Sequence, residues 1–206
     1  MLKLHGFTRS NYYNVAKMAL LEKGVDFEEV NVFPSQEEDF LGKSPMGKIP
    51  CLETPDGFLT ETEAILQYVD EAFEGPSLFP GDAWQRAQAR ELMHQVELYV
   101  DLAVRPTFAE AFFGGEVSDE VKKAAEANLK KGLAAIARRA RFSPYIAGEQ
   151  FTAADAMAFY CLPLAGMVCG KFFDFDPVAH LEGAAGMMAA VAERPSAQAI
   201  AASMEG

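Results

Sequence analysis

A nucleic-acid partner would call for an excess of basic residues, and this chain has the reverse: 18 Lys and Arg against 30 Asp and Glu, a formal net charge of −12. The electrostatic footprint on which nucleic-acid binding rests is missing. The charge favours solubility, and an anionic ligand must be held by local positive groups against the overall field. Cysteine is scarce: Cys51, Cys161 and Cys169 are odd in number and stand at no metal-ligand spacing. Neither a disulfide framework nor a metal site follows, and buried thiols in a reducing compartment are expected. The longest apolar run, residues 159–168, falls short of the roughly 18 residues a membrane span needs and is broken by Pro163 and Gly166. The opening MLKLHGFTRSN shows neither an apolar core nor a small-residue cleavage site, so a cytoplasmic protein without a secretory signal is expected. His5, His94 and His180 form no pattern, and there is no internal repeat.

What is present is a balanced globular composition, 206 residues of which half are apolar, in two unlike halves. Residues 2–7 (LKLHGF) alternate as a half-buried strand does. Over residues 12–23, Val15, Met18, Ala19 and Leu21 recur at helical spacing, and Gly24 follows where a helix favours glycine. Residues 27–32 read as a second strand, which makes a βαβ unit with parallel strands. Residues 50–60 carry a hairpin around Thr54-Pro55-Asp56-Gly57, and a helix over 62–73 follows. The order β-α-β-α-β-β-α predicts an α/β domain over residues 1–76. A Gly/Pro-rich linker over 77–83 and an all-α domain over 84–206 complete the expected organisation. Within the second half, the periodicity predicts one long helix over 84–113 broken at Pro106, a second over 121–139 and a third opening at Thr152-Ala-Ala-Asp155. Two last helices are expected over 179–193 and 196–204.

Three segments carry chemistry. Ser10 stands between the first strand and the first helix, where a hydroxyl caps backbone N–H groups and a negative charge is favoured. In SPMGKIPCLE, Pro50 opens an apparent strand; a cis bond there turns the Ile49 backbone outward, where it can pair with an extended ligand. Glu61 and Thr62 open the next helix, either as a capped acidic start or as a clamp for a zwitterion, the hydroxyl end holding a carboxylate and Glu61 an ammonium.

In combination and in this order, FTRSNYYNVAKMALLEKGVDFEEV, SPMGKIPCLE, TETEAILQYVDE and YIAGEQFTAADAMAFY resemble the glutathione transferase superfamily, over most of the chain. The resemblance implies a thioredoxin-like N-terminal domain followed by an all-helical C-terminal domain, glutathione as co-substrate, no metal, and a homodimer. It implies that Ser10 contacts the glutathione sulfur, that Ile49 pairs with its cysteinyl part beside a cis Pro50, and that Glu61 and Thr62 hold its γ-glutamyl end. Lys48 or Arg9 can either offset the peptide's carboxylates or stand as a solvated surface cation. Thr152 and Asp155 match a capping motif that serves folding. Thr62 stands for the usual Ser and keeps the hydroxyl, whereas Asn11 and Tyr12 depart from what usually follows the serine, leaving Tyr12 and Tyr13 as rival hydroxyls.

The implied chemistry is activation of a thiol for attack on small, apolar electrophiles, with no membrane or nucleic-acid partner. A free thiol titrates at roughly 8.5, and one charge-assisted hydrogen bond lowers that by roughly one to two units. Tyr99, Phe108, Phe112 and Phe113 are candidates for the apolar wall of a cleft between the halves. Two other readings stand beside this one: a glutathione-dependent isomerase, and a non-catalytic scaffold of the kind the same fold supplies to elongation-factor and RNA-polymerase complexes. A thioredoxin-like oxidoreductase is disfavoured because no Cys-x-x-Cys follows the first strand.

Overall fold

The alternation at the start of the chain becomes strand β1 (Leu2–Gly6), and the 3.6-residue periodicity after it becomes helix α1 (Asn11–Glu22). In the computed structural model, which describes residues 1–205, α1 ends at Lys23 and strand β2 (Phe27–Asn31) returns parallel to β1. A short helix α2 (Glu38–Leu41), strands β3 (Cys51–Thr54) and β4 (Gly57–Leu59) and helix α3 (Thr62–Ala72) complete the expected order. The sheet runs β2-β1-β3-β4, with β3 antiparallel to both neighbours. Leu4 and Leu52 from the sheet, Val15, Met18 and Leu20 from α1, and Ile65, Leu66 and Val69 from α3 are fully buried. Each such side chain contributes about 1.5–3 kcal/mol of hydrophobic stabilisation, so this layer holds α1 and α3 to the strands.

The chain forms two compact units, Met1–Leu78 with the chain from Glu193 onward, and Phe79–Ala192. The second unit is helical. Helix α4 (Ala83–Val96) opens on a reciprocal capping box between Asp82 and Gln85. It then leaves the single-helix expectation in two places: a π turn over Glu97–Asp101, and a 3-10 turn over Arg105–Thr107 at Pro106. Between and after these lie α5 (Leu102–Val104) and α6 (Phe108–Phe112). Asp101 in the π turn is completely buried and is ion-paired with Arg105.

Helices α7 (Asp119–Ala137) and α8 (Ala153–Phe172) follow. Helix α8 is apolar on nearly every side, and by length and composition it meets the measure of a membrane span, unlike the shorter run 159–168. Eleven of its residues are buried in the unit and Asp155 sits in its first turn, so it is the core helix of a folded unit. The single helix expected over 179–193 is two, α9 (Pro177–His180) and α10 (Ala184–Ala192). Gly183 between them has φ 90°, a conformation a side chain disfavours, and a Cβ there would lie 2.6 Å from the Phe142 Cβ. The last helix, α11 (Pro195–Glu205), belongs to the first unit and packs on α1.

Candidate active site

Strand register brings three of the chemistry-bearing segments to one end of the sheet. His5 pairs with Cys51, so the residues before Cys51 run beside the residues after His5. Leu59 pairs with Leu52, so Thr60 and Glu61 continue toward Cys51 and Pro50. The end of β1 with Ser10, the start of β3 with Ile49–Pro50 and the start of α3 with Glu61–Thr62 therefore meet at the carboxyl ends of the parallel strands, where open α/β sheets bind ligands.

Ser10 is the N-cap of α1. Its backbone N–H donates to the Phe7 carbonyl at 3.0 Å and its Oγ accepts from the Tyr13 N–H at 3.3 Å. The side chain is half-buried, and its hydroxyl proton is given to no acceptor among the described residues. The α1 N-terminus adds a partial positive charge beside it. Of the rival hydroxyls, Tyr12 is half-buried in the first turn of α1. Tyr13 is 1% exposed, and its hydroxyl donates to Glu29 Oε2 at 2.6 Å. Burial and the Glu29 carboxylate push the Tyr13 hydroxyl well above the ordinary tyrosine range, so it holds its proton and spends it inside the fold.

The Ile49–Pro50 peptide is cis, as the resemblance implies. The Ile49 N–H and C=O take no hydrogen-bond partner among the described residues, which leaves both to an extended ligand. Lys48 is exposed, and its backbone is gripped at both ends by Ser44: the Ser44 hydroxyl donates to the Lys48 carbonyl at 2.7 Å and accepts from its N–H at 3.1 Å. Sequence reasoning overlooked Ser44; its buried hydroxyl shapes the turn that presents Lys48 and Ile49. The Ser-Pro-x-Gly pattern was the available signal. Cys51 is buried, and burial pushes its thiol up to about 11, so it is inert.

Glu61 adopts φ 65° and ψ 118°, an unfavourable backbone for a residue with a side chain. Such outliers cost roughly 1–3 kcal/mol and cluster at functional sites. Glu61 is exposed and makes no side-chain cap; Thr62 behind it is buried in the first turn of α3. Among the described residues the Thr62 N–H at the start of α3 takes no partner, which leaves it to an incoming acceptor such as a carboxylate.

In the helical unit, Phe108 and Phe112 pack edge to face at 5.0 Å and Phe113 is 79% exposed, an aromatic cluster on and just after α6. Tyr99 is half-exposed in the π turn and lines a hollow of about 550 Å³ against Gly132 and Ala135 of α7. Among the described residues no group of three His, Cys, Asp or Glu side chains is placed to hold a metal ion.

Likeness to known proteins gives the family. Residues 4–77 match the glutathione S-transferase N-terminal domain model and residues 119–185 the C-terminal domain model. The chain is 44% identical, over its full length and 93% of the relative, to a glutathione S-transferase of Pseudomonas putida. A stringent starvation protein A homolog of Haemophilus influenzae is 33% identical over 74% of the chain and 68% of that protein. Among solved structures, a glutathione S-transferase of Methylobacterium radiotolerans in complex with glutathione sulfonate superimposes with a TM-score of 0.79 at 26% identity, covering 96% of this chain and 92% of that one.

Proposed function

The chain belongs to the glutathione S-transferase family, and on that premise we propose that it binds glutathione across the end of its sheet and activates the thiol with Ser10. The γ-glutamyl carboxylate takes the open N–H and the hydroxyl of Thr62, its ammonium takes Glu61, and the cysteinyl backbone pairs with Ile49 beside Pro50. Lys48 offsets a peptide carboxylate against the acidic background. The observation that carries the reading is the Ser10 hydroxyl: it accepts from Tyr13 and still has a proton to donate, at the positive end of α1.

In this scheme the bound thiol loses its proton to solvent, and the Ser10 O–H donates to the thiolate, lowering its pKa by roughly one to two units. The sulfur lone pair then forms the bond to an electrophilic carbon and the leaving group departs with the electrons of the broken bond. Ser10 keeps its proton throughout, so no general base is needed. Calorimetry with glutathione and a conjugation assay with a small aryl halide test the proposal, and saturable glutathione uptake with turnover is the expected result. Uptake without turnover would favour the second reading, a scaffold, for which the stringent starvation protein A relative is the specific reason. The homodimer that family membership suggests is part of the proposal and is checked by sedimentation.

A further inference from the structure

The first unit holds a buried lysine that thiol activation does not use. Lys17 lies on α1 and is 4% exposed; its ammonium contacts both Glu29 oxygens at 2.8 Å and Ser203 Oγ at 3.0 Å. Ser203 in turn donates its own proton to the Ile200 carbonyl at 2.7 Å, which leaves its lone pairs for Lys17. Glu29 also accepts from the Tyr13 hydroxyl at 2.6 Å, and the Tyr13 N–H donates to Ser10 Oγ. One continuous path of hydrogen bonds therefore runs from α11 through Lys17, Glu29 and Tyr13 to Ser10.

Two more contacts fix the same helix. The Tyr13 ring lies where a Cβ on Gly6 would be 2.3 Å from it, so α1 sits directly on the last residue of β1. Near the far end of α1, Glu22 takes a two-pronged bond from Arg194 at 2.8 and 2.5 Å and accepts from Ser196. Arg194 meets residue 22 and Ser203 meets residue 17, so α11 runs antiparallel along α1 and grips it at two points. A buried ammonium that loses a partner is strongly destabilised, so Lys17 resists any slide of α1 that would part it from Glu29 or Ser203. An apolar side chain in its place would pack as well but would not enforce register.

We propose that α11 is a strap that holds α1 in register on the sheet and so sets the position of Ser10, with Lys17 as the positioning residue that transmits it. The proposal rests on the reading of Ser10 as the thiol-activating group. A displacement of about 1 Å at a reacting centre costs up to about 100-fold, so a small slide of α1 registers in the chemistry long before the fold is lost.

The test compares the full-length wild type with Lys17→Met, Ser203→Ala, Ser203→Thr and Ser10→Ala. The readouts are the apparent pKa of bound glutathione from thiolate absorbance, kcat and KM with an aryl halide, and glutathione affinity. Lys17→Met is expected to raise the bound-thiol pKa by about one unit, about three- to eightfold less thiolate at neutral pH, with glutathione affinity within about twofold. Ser203→Ala is expected to shift it by about half that, and Ser203→Thr, which keeps the hydroxyl, restores the wild-type value. If Lys17→Met does not fold, the Ser203 pair decides alone. A folded Lys17→Met or Ser203→Ala with lower melting temperature but unmoved thiol pKa overturns the strap. In that case a Ser10→Ala that still raises the pKa leaves the parent reading standing; a Ser10→Ala without effect removes that reading, and the strap with it.

Discussion

Helices α1 and α8 both begin on a hydroxyl side chain, and the two hydroxyls assign their protons in opposite ways. Thr152, ahead of α8, is buried, and both its O–H and its N–H donate to Asp155 Oδ2 at 2.8 Å. Asp155 Oδ1 takes the Ile146 N–H at 2.6 Å, so one carboxylate closes the loop and the helix start together. Ser10, ahead of α1, is half-buried, accepts one weak bond and keeps its proton available. A cap whose proton is consumed inside the fold serves stability; a cap with a proton to give at an accessible helix end is open to a ligand. The same residue class at the same helix position thus acquires different work from its surroundings alone.

Asp155→Ala attacks the inward-facing cap and carries the largest expected effect. It orphans two buried backbone donors and the Thr152 hydroxyl, each loss costing roughly 1–3 kcal/mol, for a total of about 3–5 kcal/mol by denaturant unfolding. Activity per folded molecule, measured below the melting transition, should stay near wild type; a large loss there would break the division between the two caps. Ser10→Ala has the converse profile. It should cost only about 0.5–1 kcal/mol of stability, because one long cap bond is lost. Turnover at neutral pH should fall about tenfold or more as the bound thiol pKa rises, with glutathione affinity little changed. Unchanged kinetics would remove Ser10 from the mechanism.

The Asp155 carboxyl also has a pH signature that Ser10 lacks. Burial pushes it up to about 6 despite the hydrogen bonds it accepts. The folded state therefore binds this proton more tightly than the unfolded chain does, and Asp155 makes the fold more stable as pH falls from about 6 toward the ordinary 3.8. The gain is on the order of 2–3 kcal/mol, read as the difference between wild type and Asp155→Ala across that window. Glu22 and Glu29 act with the opposite sign. Burial raises them, but their bonds from Arg194 and Ser196, and from Lys17 and Tyr13, outweigh it and hold both below 4.5. Their contribution is complete above that value and fades only as pH falls through the lowered folded values.

The caps were legible in the sequence, and the resemblance implied a different task for each, but where each hydroxyl proton goes was not legible. Thr152-x-x-Asp155 and Ser10 before a periodic run are local patterns, and so are the βαβ unit and the hairpin around Pro55-Asp56. Partners distant along the chain leave no such mark: Lys17 finds Glu29 12 residues away and Ser203 186 residues away, and no local pattern announces either. The π turn over Glu97–Asp101 was invisible because one extra residue per turn changes no composition, whereas the 3-10 turn beside it was announced by Pro106. The left-handed backbone of Glu61 escaped notice because glutamate is not a residue such a conformation favours.

Ser118 supplies the smallest effect and the sharpest control on the comparison. Like Ser10 it is the N-cap of a helix, α7, and its Oγ accepts from the third residue on, Val121 N–H at 3.4 Å. Unlike Ser10 it is exposed, and acidic residues Asp119 and Glu120 occupy the first turn, so the helix end is already neutralised. Ser118→Ala should cost about 0.5 kcal/mol, a shift of a degree or two in melting temperature, because water replaces so long and exposed a bond. The bound-thiol pKa and kcat should be unmoved. If Ser118→Ala and Ser10→Ala lowered turnover alike, the kinetic effect of Ser10 would be a general consequence of loosening a helix start. If only Ser10→Ala does so, the distinction between the two serines rests on where the hydroxyl proton is free to go.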